Sequence, residues 1–398
     1  MNIVYVTGLF AQKNEDILGG MPRYIYKIGV LMQERGHNIN ILTTGHKDRV
    51  WNYQGIEVHT ICYTPICSEN RFVKYILNPM KRDISFNNAL KSMNQIRKID
   101  LVQYAGWFGV GILYNRKMPS VLRISTYSRV QLSTEYSKQE LDIMSWSERM
   151  AARNFDGIFA PSKVTAQVFS VDVNRKVSVI RTPFVIDLSE DEEDQSVWER
   201  KLEEKKYFLF FGRISKDKGV VTIAKCIYKF LQKYPDCYFV FAGNVAYGIN
   251  GFNSLKLVKR MAKEYNDRII YLGQLEHKQL YPIIRKSIGV VMPSIMDNLP
   301  NSCLEALYLN GIVIGTRKSS LDEIIRNQIS GLLIEIDNER QLLTCMSNVM
   351  EMKEDERKRM KENAIKELER FEAKRLAKQL EKYYEEIIIA FRKSKRIL

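Results

Sequence analysis

Four charged residues are the best candidates for chemistry in this chain. Two are acids, Asp297 and Glu305, eight positions apart within Met292-Pro-Ser-Ile-Met-Asp-Asn-Leu-Pro-Asn-Ser-Cys-Leu-Glu-Ala-Leu307. The apolar run before them, Ile288-Gly-Val-Val-Met292, reads as a buried parallel strand. A helix is expected to begin near Pro300, whose fixed φ suits a first helical position, and to stop at Asn310-Gly311. The amides of Asn301, Ser302 and Cys303 at such a start attract an anion. The two acids suit the hydroxyls of a sugar and a ribose. Taken alone, the stretch reads more readily as a plain strand-loop-helix unit, with Glu305 complementing the helix dipole at about 0.3–1 kcal/mol.

Two cations supply the other half of a phosphate site. Tyr207-Phe-Leu-Phe-Phe211 is strand-like and runs into Gly212-Arg213-Ile-Ser-Lys-Asp-Lys218-Gly219, after which a helix follows. An arginine forks onto two phosphate oxygens while a lysine adds a point charge, so Arg213 and Lys218 suit a diphosphate. The spacing is not that of a Walker A loop. An exposed basic turn is the alternative for this loop by itself. Gly19-Gly20, between a first strand at Asn2–Val6 and an amphipathic helix, lets a ligand approach the backbone closely. No G-x-G-x-x-G accompanies it, which excludes a nicotinamide-type fingerprint.

The elements that carry these residues alternate between strand and helix through both halves, as two doubly wound α/β domains require. The boundary is expected near residue 185, giving domains 1–185 and 186–372, with an amphipathic closing helix at about 373–398. Residues 1–183 carry 24 Lys+Arg against 14 Asp+Glu, so most of the net +15 lies in the first half. That surplus suits a polyphosphate ligand or an anionic membrane surface. Nucleic acid is not expected, because no reading module is present. The basic, aromatic stretch 65–83 suits either a dip into a membrane interface or a helix packed on its own domain. Six cysteines without a CxxC pair point to reduced thiols. The opening residues enter a strand directly, and no apolar run is long enough to span a bilayer. A cytoplasmic location, with contact to the inner membrane face, is expected.

Together Gly19-Gly20, Gly212-Arg213…Lys218-Gly219, Pro293-Ser294, Asp297…Glu305-Ala306, Asp322-Glu323-Ile-Ile and Ser330-Gly-Leu-Leu-Ile334 resemble the retaining GT-B glycosyltransferases of family 4. The resemblance covers essentially the whole chain, including Arg370-Phe371 and Tyr384-Glu385. It implies two Rossmann-like parallel-sheet domains facing across a cleft, with the last helix crossing back to the first. It implies a metal-independent hexosyltransferase without cofactor, using a nucleotide-diphosphate sugar. Arg213, Lys218 and Asp297 would carry catalysis. The donor would be held by Gly20, Arg213, Lys218, Leu275, Asp297, Leu299, Pro300, Asn301, Ser302 and Glu305, with Glu305 on the ribose and Asp297 on the sugar. Gly19, Arg123, Ser125 and Thr126 are the acceptor-side candidates. The acceptor would be a growing surface polysaccharide or a lipid-diphosphate-linked oligosaccharide. Alternatives are a soluble or protein acceptor, or a silent nucleotide-sugar-binding protein. Three departures stand out: Asp297 where Glu is usual, Ser319-Ser320 where Gly-Gly is common, and Ser125 or Thr126 where a His often follows the fourth strand.

Overall fold

The computed structural model describes residues 1–11, 20–106, 109–130, 136–186, 188–247 and 251–395. The chain divides into two compact units. Unit 1 comprises residues 1–130, 137–183 and 372–398; unit 2 comprises residues 131–136 and 184–371.

Unit 1 holds strands β1 (Asn2–Val6), β2 (Asn38–Gly45), β3 (Arg49–Tyr53), β4 (Ile56–Cys62), β5 (Leu101–Gly106), β6 (Ser120–Ile124), β7 (Gly157–Ala160) and β8 (Ser178–Val179). They form one sheet in the order β3-β4-β2-β1-β5-β6-β7-β8. Every pairing is parallel except that of β3 with β4. That antiparallel edge strand was not foreseen, because its alternating Arg49-Val-Trp-Asn-Tyr53 is short and half exposed. Helices α1 (Gly20–Glu34), α2 (Asn78–Ile96), α3 (Lys138–Ala152) and α4 (Lys163–Val173) cover the sheet. Ser137 and Ser162 cap α3 and α4 by accepting the N–H groups of Glu140 and Thr165.

The central strands are buried on both faces, so they read as continuous apolar runs, not as alternations. One face packs Ile3, Tyr5, Ile25, Ile28, Val121 and Phe159; the other packs Val4, Val6, Phe86, Leu90 and Tyr104. The stretch 65–83 is largely helical: a π-helical turn at Val73–Leu77 feeds α2, with Tyr75 and Ile76 turned inward.

Unit 2 contains α5 (Ser196–Leu202), β9 (Lys206–Phe211), α6 (Val220–Lys233), β10 (Cys237–Ala242), α7 (Ser254–Met261), β11 (Ile269–Tyr271), α8 (His277–Arg285), β12 (Gly289–Val291), α9 (Asn301–Leu309), β13 (Val313–Thr316), β14 (Leu332–Ile334), α10 (Glu339–Glu351) and α11 (Glu354–Leu368). Its sheet is wholly parallel, ordered β11-β10-β9-β12-β13-β14.

The final helix, α12 (Ala373–Lys395), belongs to unit 1, so the chain does cross back. Ala377, Leu380, Tyr384 and Ile388 recur at helical spacing and enter the core beside Ile3 and Tyr5. The Tyr384 hydroxyl donates to Gln103 Oε1, satisfying a phenol that is otherwise fully buried. Among the described residues no helix is long and apolar enough to cross a membrane.

Candidate active site

In unit 2 the strand order reverses between β9 and β12, which pair with each other while their sequels run to opposite edges. Such a reversal opens a crevice at the carboxyl ends of the two strands. The loops carrying Arg213–Lys218 and Pro293–Pro300 leave from those two ends and are stitched together. Ile295 N–H donates to the Asp217 carbonyl at 2.9 Å. Gly219 begins α6 with φ +75°, and a Cβ on it would lie 1.7 Å from the Pro293 carbonyl oxygen. Only glycine admits that approach.

The stitching places the charges. Lys218 Nζ sits 2.6 Å from Asp297 Oδ2, an ion pair between residues 79 positions apart. Ser294 Oγ donates to the same oxygen at 3.3 Å, and the Asn298 N–H donates to Oδ1 at 3.0 Å. Arg213 Nη2 lies 3.0 Å from Asp217 Oδ2, whose carboxylate is buried. Both cations therefore already face an anion. A diphosphate must compete with Asp217 and Asp297, and such partly exposed pairs are worth only about 0–1 kcal/mol each.

The entrance of α9 lies one residue later than expected. Pro300, at φ −70° and ψ 126°, is the capping residue, and Asn301 is the first helical one. Leu299 takes the left-handed conformation at φ 54° and gives its N–H to Ser320 Oγ at 2.7 Å. Cys303 N–H is engaged by the Pro300 carbonyl at 3.0 Å. Of the amides expected to meet an anion, those of Asn301 and Ser302 have no protein acceptor among the described residues. Glu305 follows on α9, partly exposed between buried Leu304 and Ala306. Leu275 is partly exposed in the loop after β11.

Ser319-Ser320 also gains a physical account. Ser320 is fully buried and holds the Leu299 amide, while Ser319 Oγ accepts the Leu321 N–H and donates to the Thr316 carbonyl. Neither Ser320 nor Asp217 was expected at the site. The i, i+4 spacing of Arg213 and Asp217 was a usable signal for the latter; nothing local announces Ser320.

In unit 1, Gly20 opens α1, is exposed, and has clear space where a side chain would stand. Gly19 lies outside the described residues. Arg123 is buried and engaged within unit 1. Its position on β6 turns it to the α1 side, where it stacks 3.6 Å from the Tyr24 ring centroid. Its Nη2 donates to Thr182 Oγ1 at 2.9 Å and its Nη1 to Ser125 Oγ. Burial pulls its pKa down, opposed by Tyr24 and Tyr384. Ser125 is thereby tied to Arg123. Thr126 is partly exposed and lines a narrow cavity with Gly106, Ile124 and Glu148.

These two α/β units, with a basic loop and a helix entrance joined at the strand-order reversal of unit 2, define the GT-B class of fold. Residues 18–188 match the family model described as Glycosyltransferase Family 4, and residues 191–367 match that of Glycosyl transferases group 1. Between them these matches span most of the chain, and the protein belongs to this GT-B group of glycosyltransferases. Its relatives include an uncharacterised glycosyltransferase of Methanocaldococcus jannaschii, 20% identical over 84% of this chain and 85% of that one. Another is the yeast (Saccharomyces cerevisiae) phosphatidylinositol N-acetylglucosaminyltransferase subunit, 19% identical over 79% of this chain and 68% of that one. The solved sucrose-phosphate synthase of Thermosynechococcus elongatus superposes with a TM-score of 0.77 at 15% identity, covering 98% of this chain and 100% of that one.

Proposed function

We propose that the enzyme moves a hexose-type sugar from a nucleotide-diphosphate donor held by unit 2, with retention at the anomeric carbon. The observation that carries this reading is the joining of the 212–219 and 293–302 segments through Gly219, Ile295 and the Lys218–Asp297 pair. Arg213 and Lys218 turn from their carboxylates to the diphosphate, and the Asn301 and Ser302 amides meet it from the helix entrance. Asp297, released from Lys218, takes sugar hydroxyls, and Glu305 takes the ribose. The bond from the anomeric carbon to the diphosphate oxygen breaks as the acceptor oxygen bonds on the same face. The acceptor's proton passes to the departing phosphate oxygen. Charge developing on that phosphate is stabilised by fixed cations and amide dipoles, without need of a metal.

The acceptor in this reading is a surface polysaccharide or lipid-linked oligosaccharide at the inner membrane face. Phe72, Leu77 and Ile84 are exposed beside Lys74 and Lys81, and Leu77, Lys81 and Ile84 recur at helical spacing. That combination suits an anionic bilayer surface. The relative acting on phosphatidylinositol is consistent with a lipid acceptor.

The test pairs binding with turnover. UDP-, GDP- and ADP-sugars are screened by thermal shift, and the best donor is followed by NMR for the anomeric configuration of the product. Arg213→Ala is expected to weaken donor binding and abolish transfer. Donor binding without turnover on lipid-linked, saccharide or sugar-phosphate acceptors would identify a silent nucleotide-sugar binder instead; an inverted product would remove retention.

A further inference from the structure

Unit 1 has its own strand-order reversal, between β1 and β5: β2 and β4 lie beyond β1 on one side, β6 and β7 beyond β5 on the other. The crevice at such a point lies past the carboxyl ends of the two strands. Here β1 ends in Val6-Thr7-Gly8 and β5 passes through Tyr104 to Gly106. The side chain of Arg82, from the first turns of α2, reaches this end of the sheet. A Cβ on Gly8 would lie 3.1 Å from Arg82 Nη1.

Arg82 is poorly answered by the protein. Its Nε and Nη2 are buried and have no hydrogen-bond partner among the described residues. The hydroxyl of Tyr104, electrostatically coupled to the same guanidinium, is also buried and unpartnered. The neighbouring Asp83 is committed elsewhere, accepting the Gly111 N–H at 3.0 and 3.1 Å and the Leu113 N–H at 3.0 Å. Buried donors are normally paired, and two unanswered guanidinium nitrogens beside an unanswered phenol are an exception. Its position at the switch point supplies a reason for keeping it.

We infer that Arg82 and the Tyr104 hydroxyl, at the strand end beside Gly8, form a subsite for a phosphate group on the acceptor. This rests on the transferase reading above, but the binding can be measured without turnover. A guanidinium fork matches phosphate oxygens in two parallel bonds, the phenol adds a third donor, and Gly8 leaves the room in which the guanidinium reaches the strand end. A soluble sugar phosphate and a lipid-linked acceptor both carry such a phosphate; the chemistry at Arg82 is the same.

The test uses the full chain in an Arg213→Ala background, which disables the donor diphosphate site. Glucose 6-phosphate and glucose are titrated by calorimetry, and phosphatidylcholine vesicles with and without a polyprenyl phosphate are assayed by flotation. The expected result is saturable binding of at least one phosphorylated probe and none of glucose, weakened about tenfold or more by Arg82→Gln. Glucose 6-phosphate binding identifies a soluble source, and vesicle binding that needs the polyprenyl phosphate identifies a lipid one. Gly8→Ala, whose Cβ would press on Arg82 Nη1 from 3.1 Å and shift the guanidinium while keeping its charge, weakens the same probe and carries the test if Arg82→Gln does not fold. Affinity unchanged in folded Arg82→Gln and Gly8→Ala, or no phosphate binding once Arg213 is removed, overturns the subsite. Arg82-dependent phosphate binding, with wild-type protein that turns over no donor, leaves the subsite standing and removes the transferase reading.

Discussion

Replacing Gly219 by alanine tests the joint on which the donor site is built. Two costs follow from the structure. Alanine at φ +75° enters the left-handed region, which costs roughly 1–2 kcal/mol. Its Cβ would also stand 1.7 Å from the Pro293 carbonyl oxygen, where ordinary contact begins at 3.4 Å. One loop must therefore retreat by about 1.7 Å, an overpacking that adds roughly 1–3 kcal/mol. The expected destabilisation is about 2–5 kcal/mol, seen as a lower urea midpoint with an unchanged slope. Because Pro293 leads into Asp297, the retreat also separates Asp297 from Lys218, and a displacement of about 1 Å in a site can cost on the order of a hundredfold in rate. Gly36→Ala is the control: φ is +83°, but the space is open, so only the backbone strain applies. Gly219→Ala with the stability and nucleoside-diphosphate affinity of Gly36→Ala would refute the reasoning, since the clash would then have no consequence.

The remaining predictions concern charge and surface. Asp297→Asn removes the anion that holds Lys218, so UDP, measured by calorimetry, is expected to bind as tightly as before or tighter while sugar transfer falls at least about tenfold. Weaker UDP binding in that variant would contradict the competition between Asp297 and diphosphate. Burial pushes the Asp83 carboxyl up to about 6, against the lowering effects of Arg82 and the backbone amides. A raised folded pKa means that the native state binds the extra proton. The penalty is absent below the unfolded value of 3.8, grows as pH rises, and is fully present above about 6, at about 3 kcal/mol. Wild type is therefore expected to gain stability from about pH 7 to pH 5 relative to Asp83→Asn in paired urea titrations. Parallel profiles would show that Asp83 contributes no such term. Phe72→Glu with Ile84→Gln is expected to abolish flotation with anionic vesicles, and Lys74→Gln with Lys81→Gln to weaken it by about 1 kcal/mol per lysine. Undiminished flotation would move the membrane contact away from this helix.

Much was legible before any coordinates because it depends on neighbours in sequence. The buried runs at Asn2–Val6 and Tyr207–Phe211 can only be central parallel strands, and the apolar spacing of α12 marks a helix with one buried face. The serines capping α3 and α4 are likewise local features. Arg213, Lys218, Asp297 and Glu305 were recognisable by residue type beside glycines and a helix start, and the resemblance in motif order identified their group.

Residue type did not show which charge answers which. That Lys218 meets Asp297, that the Pro293 carbonyl fills the space Gly219 leaves, and that Ser320 holds the Leu299 amide all depend on β9, β12 and β13 lying side by side. Arg123 and Arg82 are both cations near strand ends, yet one is stacked on Tyr24 and bonded to Ser125 and Thr182 with its Nε alone unanswered, while the other keeps two buried nitrogens unanswered. Pattern along a chain specifies which residues are buried and in what period. The partners of a buried charge come from distant strands and helices, so tertiary packing alone decides whether it is satisfied within the protein or left for a ligand.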